Sequence, residues 1–113
     1  MRLLKSFQYA WNGISYCFRT QTNFRIHLLG FIFMLMSAFY FRFEKMEWII
    51  CLILSALVFF AELVNTAIES VVDLTTTEFS ELAKVAKDCA AGAVLVLAVF
   101  AVIVWSMIVW GKI

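Results

Sequence analysis

From Cys89 to Gly111 the chain runs without a charged residue. A bilayer core is about 30 Å thick, and about 20 helical residues cross it. That run therefore has few alternatives to a transmembrane helix. Two more segments behave alike, at about 26–43 and about 48–68. A polar turn of Arg42, Glu44, Lys45 and Glu47 separates them. The chain is 65% hydrophobic and lacks proline, whereas soluble domains run about 45–50% apolar. The expectation is an all-α integral membrane protein forming one domain over residues 1–113. A net charge of +1, without a basic patch carrying interleaved aromatics, argues against nucleic acid as a partner. Cys17, Cys51 and Cys89 stand far apart, with no CxxC and no Cys/His pairing. They predict buried free thiols rather than a zinc site or a disulfide framework. Lys5, Gln8 and Asn12 break up the apolar N-terminus, so no signal-peptide pattern forms and insertion is expected to rest on the spans.

Ahead of the first span, residues from Arg2 to about Thr20 carry two stripes at helical spacing. Leu3, Phe7, Trp11, Ile14 and Phe18 make the apolar stripe; Lys5, Gln8, Asn12, Ser15 and Arg19 make the polar one. Such a helix lies in the membrane interface, its aromatics at the acyl boundary. Gln21-Thr22-Asn23 interrupts it, and Arg25 and His27 open the first span. His27 reads as an interfacial anchor or hydrogen-bond donor rather than a ligand. Beyond the second span, Thr75 with Glu78 three residues on fits a capping box for a new helix. Glu81–Lys84 and Lys84–Asp88 then fit ordinary intrahelical ion pairs. Ala90, Ala91, Gly92 and Ala93 let another helix approach closely. Trp105 and Trp110 suit the far interface. Arg2, Lys5, Arg19, Arg25, Lys84 and Lys87 fall on one side of the spans, and Arg42, Lys45 and Lys112 on the other. The positive-inside rule places the first side in the cytoplasm.

The second span holds the candidate chemistry. Glu62, Asn65 and Glu69 share a helix face through spacings of three and four residues, and Asp73 continues the row. Glu62 is the only charged residue between Trp48 and Ile68. A carboxylate there costs roughly 2.5–3.5 kcal/mol at mid-membrane and less near the interface. Such a residue is functional by default, the alternative being a structural hydrogen bond to a neighbouring helix. Glu62 sits roughly 10 Å deeper than Glu69. There a carboxylate can accept a proton from a lipid hydroxyl. At headgroup level Glu69 can hold magnesium, which commonly binds one or two carboxylates plus substrate phosphates. Lys87 and Arg2 can neutralise phosphate, and Asn65 can orient either glutamate. Together these parts fit phosphoryl transfer from a nucleotide to a membrane-embedded alcohol. Neither GxGxxG nor GxxxxGKS/T occurs, so a nucleotide site must be built from side chains. The same spacing suits a proton-conducting oligomer that uses Glu62.

Glu62–Asp73 reads ExxNxAIExxVD, and after a short linker Ala86–Leu95 reads AKDxAAGAVL. This long, contiguous pattern resembles the signature of the prokaryotic diacylglycerol kinase family. The similarity extends upstream through Arg2, Lys5, Tyr9, Trp11 and Gly13 to Asn23-Phe24-Arg25-Ile26-His27, and so covers essentially the whole chain. That last run, with Asp73-Leu74 where the diacylglycerol kinases carry Asp-Arg, looks more like the Gram-positive undecaprenol kinase branch.

The resemblance implies a homotrimer of three-span protomers with an N-terminal surface helix in the bacterial inner membrane, its active site cytoplasmic. It implies transfer of the ATP γ-phosphate to a lipid alcohol with Mg²⁺: undecaprenol, giving undecaprenyl phosphate, or alternatively diacylglycerol. By the same resemblance Glu62 is the catalytic base, Asn65 an active-site partner and Glu69 a metal ligand. Arg2, Tyr9, Gln21, Glu69, Glu78, Phe79, Ser80, Lys87 and Asp88 match positions around ATP, with Tyr9 near the adenine. Arg2, Trp11, Glu62 and Ala91 match the lipid-substrate positions. One departure stands out. Where the family usually has Arg-Thr-Glu, with a second metal-binding glutamate, this chain has Arg19-Thr20-Gln21. The amide of Gln21 can still offer a carbonyl oxygen to the metal, but one negative charge is gone and weaker metal binding is expected. A tolerated change in this branch, an engineered substitution, and a weakened or inactive nucleotide-sensing variant are the three readings of Gln21.

Overall fold

A chain in lipid must satisfy its backbone polar groups internally, and an apolar sequence without proline does so as continuous helix. The computed structural model describes residues 1–113. It contains α1 (Arg2–Thr20), α2 (Thr22–Tyr40), α3 (Lys45–Thr75) and α4 (Glu81–Trp110). The last three are each long and apolar enough to cross a membrane. α3 packs most extensively against α4 and less against α2, while α1 touches α2 and α3. Only 15 of 113 residues are buried, so most apolar side chains face away from the chain's own core.

The corners follow from local chemistry. Gln21 alone separates α1 from α2; its backbone is extended while its N–H still closes α1 onto the Cys17 carbonyl at 2.8 Å. The break expected over Gln21-Thr22-Asn23 is thus one residue long, and Thr22 opens α2. α2 in turn stops at Tyr40, short of the expected residue 43. Arg42 adopts a left-handed φ of 55°. The Phe43 N–H then reaches the Ala38 carbonyl at 2.9 Å, and the Arg42 N–H reaches that of Phe39 at 3.4 Å. This is a Schellman closure built on arginine where glycine is usual. It folds Phe43 back onto a cluster of Met34, Ala38, Cys51 and Val109.

At the α3–α4 corner the expected capping box of Thr75 and Glu78 does not form. Thr75 is the last residue of α3, and its hydroxyl already donates to the Val72 carbonyl at 2.8 Å. Thr76 turns extended, and its hydroxyl oxygen accepts the Glu78 N–H at 3.1 Å. Ser80 is the N-cap of α4, accepting from the Ala83 N–H at 3.4 Å. In the new helix Lys84 pairs with Asp88 at 2.7 Å rather than with Glu81. Cys17 and Cys51 are buried as expected, but Cys89 is exposed, because α4 turns its neighbour Ala90 inward instead.

Opposite that corner, the helix ends are tied together. The Glu47 carboxylate accepts the Glu44 backbone N–H at 2.8 Å and pairs with Lys112 Nζ at 2.8 Å. The Trp105 indole N–H donates to Ser37 Oγ at 2.8 Å, and that hydroxyl donates to the Met34 carbonyl at 2.8 Å. α4 is thereby fastened to both α2 and α3. In lipid, such hydrogen bonds and close packing hold helices together, because lipid tails are as apolar as the helix surfaces.

Candidate active site

α3 presents Glu62, Asn65 and Glu69 along one face, as the helical repeat requires. Glu62 is 2% exposed, and Asn65 and Thr66 beside it are buried. Thr66 offers the carboxylate nothing, since its hydroxyl donates to the Glu62 backbone carbonyl at 3.0 Å. Asn65 Nδ2 donates to Glu69 Oε1 at 3.4 Å, so Asn65 reaches Glu69 rather than Glu62. Its Oδ1 is buried with no partner. An unsatisfied buried acceptor costs about 1–3 kcal/mol, and its persistence marks a place for a donor or a cation.

The side-chain partner of Glu62 is His27, whose Nε2 lies 3.2 Å from Oε1. Sequence reading leaves His27 as an anchor or a hydrogen-bond donor, without a partner. Depth is the signal that finds it: His27 is in the second turn of α2, and Glu62 is two turns below Glu69 on the returning α3. An apolar groove of about 350 Å³ between α2, α3 and α4 begins at Ile26 and His27 and ends at Trp105.

At the α3–α4 corner, an open depression of about 520 Å³ brings Glu78, Phe79, Ser80, Lys87 and Asp88 together with Asp73 and Lys84. Phe79 is 81% exposed, so it is no part of a core. Lys87 Nζ lies 2.6 Å from Asp73 Oδ1, and Lys84 Nζ lies 2.7 Å from Asp88 Oδ2. Pairs this exposed are weak and salt-screened, so an incoming anion can compete for the lysines. Arg2, Tyr9 and Trp11 lie on the exposed surface of α1 and make no hydrogen bond or ion pair with the other site residues. Ala91 is exposed on α4. Gln21 is half-buried at the α1–α2 corner, and its amide N–H donates to Thr20 Oγ1 at 3.2 Å.

No three His, Cys, Asp or Glu side chains converge into a ready cage for a metal. The oxygens brought together are the Glu69 carboxylate and the unpartnered Asn65 Oδ1 beside it; the only side-chain hydrogen bond of Gln21 is with Thr20. That chemistry fits magnesium, which binds through few carboxylates when phosphates complete its shell.

Spans of membrane length around a buried carboxylate, capped by a polar corner, define a helical membrane protein with an ionisable group at membrane depth. Residues 8–109 match the prokaryotic diacylglycerol kinase family, and the chain belongs to that family. It is 52% identical over 103 residues to a diacylglycerol kinase of Synechocystis, covering 90% of this chain and 59% of that relative. It is 43% identical over 107 residues to the undecaprenol kinase of Bacillus subtilis, covering 95% of this chain and 87% of the relative. To the diacylglycerol kinase of Escherichia coli it is 29% identical over 109 residues, with 96% and 89% covered. The chain therefore spans less than two thirds of the Synechocystis protein but most of the other two. All three relatives are lipid kinases by name.

Proposed function

We propose that this chain is an ATP-dependent lipid kinase with undecaprenol as its acceptor. The carrying observation is the order of environments along α3. The apolar groove reaches Phe59, Glu62 lies one turn further, and the polar depression begins at Val72. A lipid tail and a nucleotide can thus approach Glu62 from opposite sides. The Glu62 carboxylate takes the proton of the lipid hydroxyl as that oxygen attacks the γ-phosphorus. The bond from phosphorus to the ADP oxygen breaks, leaving a phosphorylated lipid and ADP. Asn65 fixes Glu69. Lys87, released from Asp73, and Arg2 offset phosphate charge, and Glu78, Phe79, Ser80, Asp88 and Tyr9 bound the nucleotide. Trp11 and Ala91 border the lipid. Magnesium, held by Glu69 with the Gln21 carbonyl, supplies charge neutralisation on the phosphate oxygens when bound.

Undecaprenol is favoured by the Asn23–His27 run and by Leu74 after Asp73. Diacylglycerol is the second reading, favoured by the 52% identity to a relative carrying that name. The assembly we propose is a homotrimer of one domain over residues 1–113. In it α1 lies on the surface of the inner membrane, and the N-terminus and site face the cytoplasm. The Lys/Arg distribution, the exposed apolar side chains of α1 and the largely exposed α4 support that arrangement.

Transfer of label from γ-labelled ATP in mixed micelles, with each lipid offered separately and magnesium varied, is the test. Label in undecaprenol with little in diacylglycerol is the expected result. Preference for diacylglycerol keeps the mechanism and changes the acceptor. No label in either lipid sinks the kinase reading of this chain.

A further inference from the structure

We propose that His27 is a positioning residue for the Glu62 carboxylate, donating from Nε2 to Oε1; this rests on the reading of Glu62 as the base. Nε2 lies 3.2 Å from Oε1. No other side chain supplies Glu62 with a donor: Asn65 is turned to Glu69, and Thr66 to a backbone carbonyl. Glu62 is 2% exposed, so its carboxylate has little access to bulk water. A carboxylate in a low-dielectric setting needs such a donor both to remain an anion and to hold one orientation. With Oε1 held, the second oxygen has no hydrogen bond within the chain and is left for the substrate hydroxyl.

The contact is built rather than incidental. Phe24, His27 and Phe31 share one face of α2, and Phe59 and Glu62 share one face of α3. The Phe59 ring sits between the other two, with centroids 5.4 Å from Phe24 and 5.7 Å from Phe31. Aromatic pairs of this geometry fix the register of the two helices. Because the two helices run antiparallel, that register brings His27, four residues before Phe31, opposite Glu62, three residues after Phe59. The imidazole also lines the apolar groove, which Glu62 itself does not, so His27 links that groove to the base.

Three substitutions separate hydrogen bonding from packing. His27→Gln places an amide N–H where Nε2 was, His27→Asn falls short of it, and His27→Leu removes the donor while filling the volume. Label transfer from γ-labelled ATP to undecaprenol and diacylglycerol gives kcat and KM for each variant. His27→Leu and His27→Asn should lower kcat about 10–100-fold, the usual loss for a partner that orients a reacting group, with KM for ATP within about twofold. His27→Gln should remain within about fivefold of the unsubstituted chain. Equal losses in all three, or a rise in KM alone, would overturn the proposal.

A second readout needs no activity. His27 is the only histidine, so a ¹⁵N-histidine-labelled sample gives one set of ring signals. Glu62→Gln should move the Nε2 signal, while Glu69→Gln should leave it in place. An Nε2 signal indifferent to Glu62→Gln denies the contact outright. Full activity in Glu62→Gln sinks the base reading even where that signal moves. A dead Glu62→Gln beside a fully active His27→Leu sinks only the positioning role.

Discussion

The two ends of the helix bundle are built on opposite rules. At the Glu47 end the partly buried polar groups are matched. Glu47 meets Lys112 and the Glu44 N–H, and the Trp105 indole meets Ser37, whose own hydroxyl meets Met34. At the Glu62 end a buried carboxylate rests on one histidine contact, a buried amide oxygen has no partner, and exposed lysines are held in pairs that an anion can displace. The first pattern lowers the energy of the folded chain. The second forgoes stability where the proposed ligands would bind, as underused polar groups at functional sites generally do. The difference teaches where to look for function in a small membrane protein: at polar groups the fold leaves unfinished.

The sharpest way to break that comparison is a crossed pair of substitutions. Glu62→Gln should reduce label transfer by about 100-fold or more, the scale of a lost general base. It should leave ATP binding and the thermal midpoint in detergent unchanged or improved, since it removes a buried charge. Trp105→Phe should do the reverse. Losing the donor to Ser37 costs about 1 kcal/mol of stability in unfolding by SDS or heat, with kcat unaltered. If Glu62→Gln unfolds the chain, or Trp105→Phe slows transfer, the division between the two ends is wrong.

Much of this was legible in the sequence, for identifiable reasons. Spans are set by length and hydropathy, so 48–68 lies inside α3 and 89–111 runs along α4 up to its last residue, Trp110. Glu62 and Glu69 announced themselves by the expense of burying charge and by their shared face. What could not be read depends on neighbours. The His27–Glu62 contact needs the register of two antiparallel helices, which no window along one of them contains. The Thr75 cap fails because its hydroxyl is already engaged with the Val72 carbonyl, and Ser80 caps α4 instead. Arg42 gives no sign of a left-handed turn, because glycine is the usual signal and is absent there.

Gln21 tests the unfinished end more gently. Restoring a carboxylate with Gln21→Glu should lower the magnesium concentration for half-maximal activity by roughly threefold to tenfold, since the charge count of the ligands tunes such affinities. Gln21 is also the N-cap of α2. It is the C-cap of α1 as well, so a negative charge there is favoured by one helix dipole and opposed by the other, and the thermal midpoint without magnesium should change little. A shift of the magnesium midpoint with the thermal midpoint unmoved would therefore report a ligand role. An unchanged magnesium dependence would remove position 21 from the metal site.

The smallest effect belongs to the finished end, where one flaw remains. Arg42 holds its left-handed backbone against a penalty of about 1–2 kcal/mol for a residue with a Cβ. Glycine escapes that penalty but loses about 0.5–1 kcal/mol of chain entropy on folding. Arg42 is exposed and enters no ion pair, so its side chain offers nothing to set against the exchange. Arg42→Gly should therefore raise stability by about 0.5 kcal/mol, the difference between those two terms. Label transfer should not change, because the turn lies at the opposite end of α3 from Glu69. A fall in stability would mean that the arginine, through lipid phosphates at that interface, contributes more than its backbone strain removes.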